Sequence, residues 1–385
     1  MANILDYLTE HGQSSFNDIS LNHIDMLILN EIAYLPLGEG KDLTSESTLV
    51  TWGEELLAHD LDFLVTAERL ELLKAVLASA RFSDLQLKAY VNEIDPTFDK
   101  QFAAALFYLP ALDYYQLVFR GTDDSLVGWK EDFNMTYMSE IPAQRRAVAF
   151  LTDVLGQLPG TLVVTGHSKG GNLAVYASSF IAAADQDRIK AVYAFDAPGV
   201  HERVLASPGY ERIKSKIVAI RPQDSIVGVM LESDRDPVII ASDKRGLEQH
   251  NVIHWQTDGY GLLLVEEGTK TSQILEQTFK SWTQELGGQE LKVLVNLVFD
   301  VFAEVGIDSL NDLQENFPQK LTGVLSAFSN LPSQQREMMN QSVNVFFKHL
   351  LQFRFQQLTG DLDQKLAGFN AKLKSLGETD PSSKT

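Results

Sequence analysis

Apolar residues recur at helical spacing over residues 21–34, and Pro36 and Gly38 close that run. Residues 56–80 read the same way, with Leu70, Leu72, Leu73, Val76 and Leu77 as the apolar positions. Stripes of this kind predict helices with one face in a core. The texture changes at Phe102: residues 102–109 and 114–119 are dense apolar runs split by Pro110 and Asp113, which predicts two strands in a hairpin. Beyond it the pattern alternates. A helix is expected over 145–158, a strand over 161–165 and a helix over 173–184. Strands are expected over 190–195 and 216–220, and a short one over 237–242. Alternation of this kind implies an α/β fold, a mostly parallel sheet covered by helices on both faces.

A second shift comes near Thr271. Residues 273–376 carry few strand signals and several amphipathic runs, broken at Gly287-Gly288, Gly306, Pro318, Pro332 and Gly360. The expected organisation is a sheet-bearing domain over 1–270, a helical appendage over 271–377 and a disordered polar tail over 378–385.

Charge narrows the function. The 385 residues carry a formal charge of -20, which disfavours nucleic acid and docking on an anionic membrane. With no cysteine in the chain, disulfides, thiol catalysis and thiolate-metal sites are excluded. The first ten residues contain neither a basic region nor an apolar one of the secretory kind. The best membrane-span candidate, residues 293–302, is short and holds Asp300. The expectation is a soluble, cytoplasmic protein without stable membrane insertion.

One stretch carries chemistry. The β-branched run 162–165 ends in Gly166-His167-Ser168-Lys169-Gly170, and an apolar helical pattern follows at once. Gly-x-Ser-x-Gly between a strand and a helix is the pattern of a nucleophile elbow, a sharp turn that lifts a serine above a sheet. A serine hydroxyl needs a base, and the base needs an orienting carboxylate. Four histidines follow Ser168. His349 sits in a helical run and His201 comes early in the expected serine–acid–histidine order. His250 is the favoured base and His254 the runner-up. For the acid, Asp224 follows the strand over 216–220, and Asp196, the runner-up, follows the strand over 190–195. Both stand at the sheet edge where catalytic groups of such folds collect. Oxyanion donors are expected from the backbone amide of Lys169, just after the serine, and from that of Thr122 in Phe119-Arg120-Gly121-Thr122.

These residues, with Trp129 and Asp132-Phe133, resemble class 3 lipases. They resemble more closely a bacterial Mbeg-like α/β-hydrolase family, also filed as a domain of unknown function. Further points of resemblance are Phe195-Asp196-Ala197-Pro198-Gly199, Arg221-Pro222-Gln223-Asp224-Ser225 and Gln249-His250. The likeness spans about residues 1–265. It implies an α/β-hydrolase fold with Ser168 as nucleophile, Asp224 as acid, His250 as base and Thr122 in the oxyanion hole. Asn251 stands where the family usually has Asp.

The resulting expectation is an esterase- or lipase-like serine hydrolase acting on a small-molecule or lipid acyl ester, with no cofactor and no metal. Two alternatives stay open: an acyltransferase using the same residues, and a non-catalytic hydrolase fold whose C-terminal helices bind a partner or form a homo-oligomer.

Overall fold

The computed structural model describes residues 2–38, 48–60, 64–123, 125–307 and 317–377; the expected tail at 378–385 lies outside them. Seven strands form one sheet: β1 (Gln86–Asp95), β2 (Lys100–Leu109), β3 (Tyr114–Phe119), β4 (Leu162–His167), β5 (Ile189–Phe195), β6 (Ile217–Pro222) and β7 (Val238–Ile240). They lie in sequential order across the sheet. β1, β2 and β3 are antiparallel neighbours, and β3 to β7 run parallel. The hairpin of β2 and β3 is the one expected from Pro110 and Asp113. Asp113 makes the turn in the left-handed region, at φ 46. β1 was not anticipated, although Leu87, Ala89 and Val91 alternate with polar residues as a strand should.

Sequential parallel strands have a consequence for covering the sheet. Right-handed crossovers that all step the same way put their helices on one face. That face packs on α6 (Pro142–Gln157), α7 (Lys169–Phe180) and α10 (Pro208–Ile213), with Phe102, Ala104, Leu106, Val164 and Val192 pointing into the core. The intervening residues Ala105, Phe107 and Leu109 point the other way, as the two-residue period of a strand requires. This opposite face is closed by N-terminal helices α1 (Ile4–His11), α2 (His23–Ile32) and α4 (Ala67–Leu77). Both faces are therefore covered, but one of them by helices that precede the sheet. A fully buried pair, Arg81 with Asp25 at 2.6 Å, ties the N-terminal helices together.

Among the described residues from Lys270 onward the elements are three helices: α11 (Lys270–Glu304), α12 (Phe317–Asn330) and α13 (Ser333–Gly377). α11 breaks at Gly287, which takes φ 73, a conformation that favours glycine. No helix among the described residues is long and apolar enough to cross a membrane.

Candidate active site

Register brings the site together. Phe119 pairs with Gly166 across β3 and β4, and His167 pairs with Phe195 across β4 and β5. The residues that follow each strand, Arg120-Gly121-Thr122, Ser168 and Asp196, thus emerge side by side at the carboxyl edge.

Ser168 sits at the turn between β4 and α7 with φ 59 and ψ -135, a region that a side chain adopts only under strain. Its glycines are required by distance. A Cβ on Gly166 would lie 2.1 Å from the carbonyl carbon of Gly170, and one on Gly170 would lie 2.0 Å from the carbonyl oxygen of Phe119. Gly121 is equally confined: its Cβ would come within 3.0 Å of the Ser168 Cβ. The loop bearing Thr122 therefore runs directly against the serine.

His250 ends a short 3-10 turn, Gly246–His250. Its Nδ1 lies 2.6 Å from Oδ2 of Asp196. A carboxylate can only accept, so Nδ1 carries the hydrogen and Nε2 is left as the basic nitrogen. Asp196 is buried and takes φ 40. Its backbone amide donates to the Ile220 carbonyl at 2.7 Å, and its Oδ1 accepts from the Ser225 hydroxyl.

The expected acid is corrected here. Asp224 does not meet His250. Its Oδ2 accepts the Gly246 amide at 3.0 Å, its Oδ1 accepts the Thr269 hydroxyl, and its own amide donates to Gln249 Oε1 at 3.2 Å. Asp224 thus fastens the loop that carries the histidine. The physical reason is strand order: β5 adjoins β4, whereas β6 lies one strand further from Ser168. The runner-up base, His254, faces Asp243 at 3.2 Å. His201 caps a short helix through the Arg203 amide, and His349 pairs with Glu285.

His167, within the elbow, supports the base. Its Nε2 lies 2.8 Å from the carbonyl oxygen of His250, and its Nδ1 is 3.2 Å from the Tyr34 hydroxyl. The carbonyl accepts, so Nε2 is protonated and Nδ1 receives the Tyr34 hydrogen. Burial, reinforced by His250, holds His167 well below the usual histidine range and therefore neutral.

On the oxyanion side, the Thr122 hydroxyl bonds to Asp132 Oδ2. Burial pushes the Asp132 carboxyl up to about 6, with Lys169 opposing that rise. The side chain of Lys169 is fully buried. Its Nζ donates to Gln101 O at 2.9 Å, Gln101 Oε1 at 2.5 Å and Glu131 Oε2 at 3.1 Å, and lies 3.7 Å from Asp132 Oδ1. Glu131 also accepts the amides of Gln101 and Ala143. The ammonium thus links the start of α7 to β2 and to α5 (Leu126–Asn134), the helix after the Thr122 loop. Sequence reading named Lys169 for its amide alone. Nothing in the local pattern signals that its side chain turns inward, nor that Glu131, Gln101, Ser225 and Tyr34 support the site. No cluster of three or more His, Asp or Glu side chains that could hold a metal occurs among the described residues.

Comparison with known proteins adds a family. The Mbeg1-like family model matches residues 76–300. Among solved structures, M37 lipase is similar at 16% identity over 59% of this chain and 77% of its own, with a TM-score of 0.36. The Lip2 lipase from Yarrowia lipolytica is similar at 14% identity over 65% of this chain and 87% of its own, with a TM-score of 0.35. A fungal lipase in complex with an inhibitor shows 13% identity over 62% and 78%, with a TM-score of 0.36. Likeness at this level says nothing on its own about what the chain acts on. No curated protein matches.

Proposed function

The chain belongs to the Mbeg1-like family, and from that premise we propose that it is a serine hydrolase cleaving a carboxylic ester through an acyl-enzyme on Ser168. The observation that carries this reading is the Asp196–His250 pair, 2.6 Å long, set beside a strained serine at a strand-to-helix turn.

In this mechanism the Ser168 hydroxyl oxygen attacks the ester carbonyl and its proton passes to Nε2 of His250. Asp196 fixes the tautomer that leaves Nε2 free and stabilises the imidazolium that forms. Negative charge on the carbonyl oxygen is met by the backbone amides of Lys169 and Thr122. His250 then returns the proton to the departing alcohol. Water, activated by the same nitrogen, attacks the acyl-enzyme and releases the acid. The Thr122–Asp132 bond and the Lys169 anchor hold the two donor segments in place, so these side chains act by positioning.

The test is a p-nitrophenyl ester series of increasing chain length, run beside fluorophosphonate labelling. Both turnover and labelling are expected in the native protein and neither in Ser168→Ala. Unchanged turnover in Ser168→Ala, or a folded native protein that takes no label, overturns the reading.

A further inference from the structure

α13 presents two apolar faces, and the structure occupies one. Ser342, Phe346 and His349 lie on α11. The Trp282 indole donates to the Ser342 carbonyl at 3.1 Å, Phe346 meets Phe279 and Trp282 with ring centroids 5.8 Å apart, and His349 bonds Glu285 at 2.7 Å. At 3.6 residues per turn, Phe347, Leu351, Phe355 and Leu358 fall on the opposite side, and Val343 on the flank that leads to them. In chain order, from Val343 to Leu358, they are 49%, 53%, 64%, 68% and 62% exposed. Their spacing of 4, 4, 4 and 3 keeps them in one continuous row along the helix. A row of five large apolar side chains left open to water marks a binding surface.

We propose that this row is a homodimer interface in which α13 pairs antiparallel with α13 of a second copy. Three observations favour that occupant. First, the area fits: with roughly 100 Å² of open surface on each side chain, the row offers about 500 Å² per protomer and about 1,000 Å² in a pair, the threshold for a specific interface. Second, the charge fits. The chain as a whole carries -20, yet residues 338–359 contain no acid and two basic side chains, Lys348 and Arg354, of which Lys348 is already bonded to Glu285 at 3.0 Å. A second copy meets no carboxylate repulsion along the row. An anionic lipid surface would be repelled by the whole molecule and would lack the basic flank that interfacial helices use. Third, the row is self-complementary about its middle. With Leu351 on a two-fold axis, Phe347 faces Phe355 of the partner and Val343 faces the end holding Leu358, as an isologous contact requires.

The test uses the full chain, whose lack of cysteine makes single cysteines clean probes. Sedimentation over a concentration series is expected to show mass rising from 42.9 kDa towards twice that value. Leu351→Glu is expected to stay monomeric with unchanged circular dichroism and melting temperature. With a short bis-maleimide, Leu351→Cys should cross-link to itself. Val343→Cys alone should not, but should cross-link when mixed with Leu358→Cys. A monomer at every concentration, or a dimer indifferent to Leu351→Glu, overturns the proposal. Self-cross-linking at 343 without 351 overturns the antiparallel pairing. Flotation of the monomer with phosphatidylcholine or phosphatidylserine vesicles, lost in Leu351→Glu, would assign the row to a membrane instead.

Discussion

The imidazole of His167 lies against that of His250, with ring centroids 4.5 Å apart, and its Nε2 donates to the His250 backbone carbonyl at 2.8 Å. The elbow therefore grips the loop that carries the base. In His167→Leu, the His250 carbonyl and the Tyr34 hydroxyl lose their partner, and a loss of about 1–3 kcal/mol per stranded group is expected in urea unfolding. The kcat for an ester substrate should fall while KM changes little, because the base loosens and substrate contacts remain. Unchanged kcat would show that the grip does not matter.

The same histidine gives a pH dependence with a definite sign. Its folded-state value is depressed, so below the ordinary histidine value the unfolded chain binds a proton that the folded chain refuses. Stability from this group is present above about 6.5 and is lost as pH falls below that. Melting temperatures measured from pH 8 to pH 5 should drop less steeply in His167→Leu than in the native protein.

Asp196 and Asp224 separate by their effects. Asp196→Asn removes the carboxylate that fixes the His250 tautomer, and kcat should fall by roughly 10⁴-fold with little change in KM. Asp224→Asn weakens the anchorage at Gly246 and Thr269. Its expected signature is a lowered melting temperature with a loss in kcat of about tenfold or less, since it acts through loop position. Equal losses in both variants would count against Asp196 as the partner of the base.

Lys169 and Glu131 are a buried ion pair, 1% and 0% exposed. Lys169→Met strands the Glu131 carboxylate and should destabilise the protein by about 3–5 kcal/mol. Lys169→Met combined with Glu131→Gln should recover part of that loss. Denaturant titration of the two variants checks this, and a single variant as stable as the native protein would contradict it.

Ser168 holds a backbone conformation that glycine adopts freely. Ser168→Gly should therefore be more stable than Ser168→Ala by about 1 kcal/mol, with both inactive. Thermal unfolding of the two side by side decides it; equal stability would mean that the turn stores no strain.

Much of this molecule is local, and local features were legible. The hairpin at Pro110 and Asp113, the alternation beyond it and the strand–Ser168–helix turn follow from side-chain period and glycine placement, which depend on near neighbours in the chain. The amides proposed to meet the oxyanion follow from the same turns. Which carboxylate meets His250 is not local. Asp196 and Asp224 both end strands, and only the order of β4, β5 and β6, together with a contact spanning 54 residues, puts Asp196 at Nδ1. Likewise the sequence points to Lys169 only for its backbone amide, and burial of its side chain against Glu131 and Gln101 exists only once β2, α5 and α7 have converged. The amphipathic apolar runs beyond Thr271 predict helices with a face to bury. Only their arrangement decided that α11 takes one face of α13 and leaves Leu351 and its row open, because a helix can turn just one side to a single neighbour.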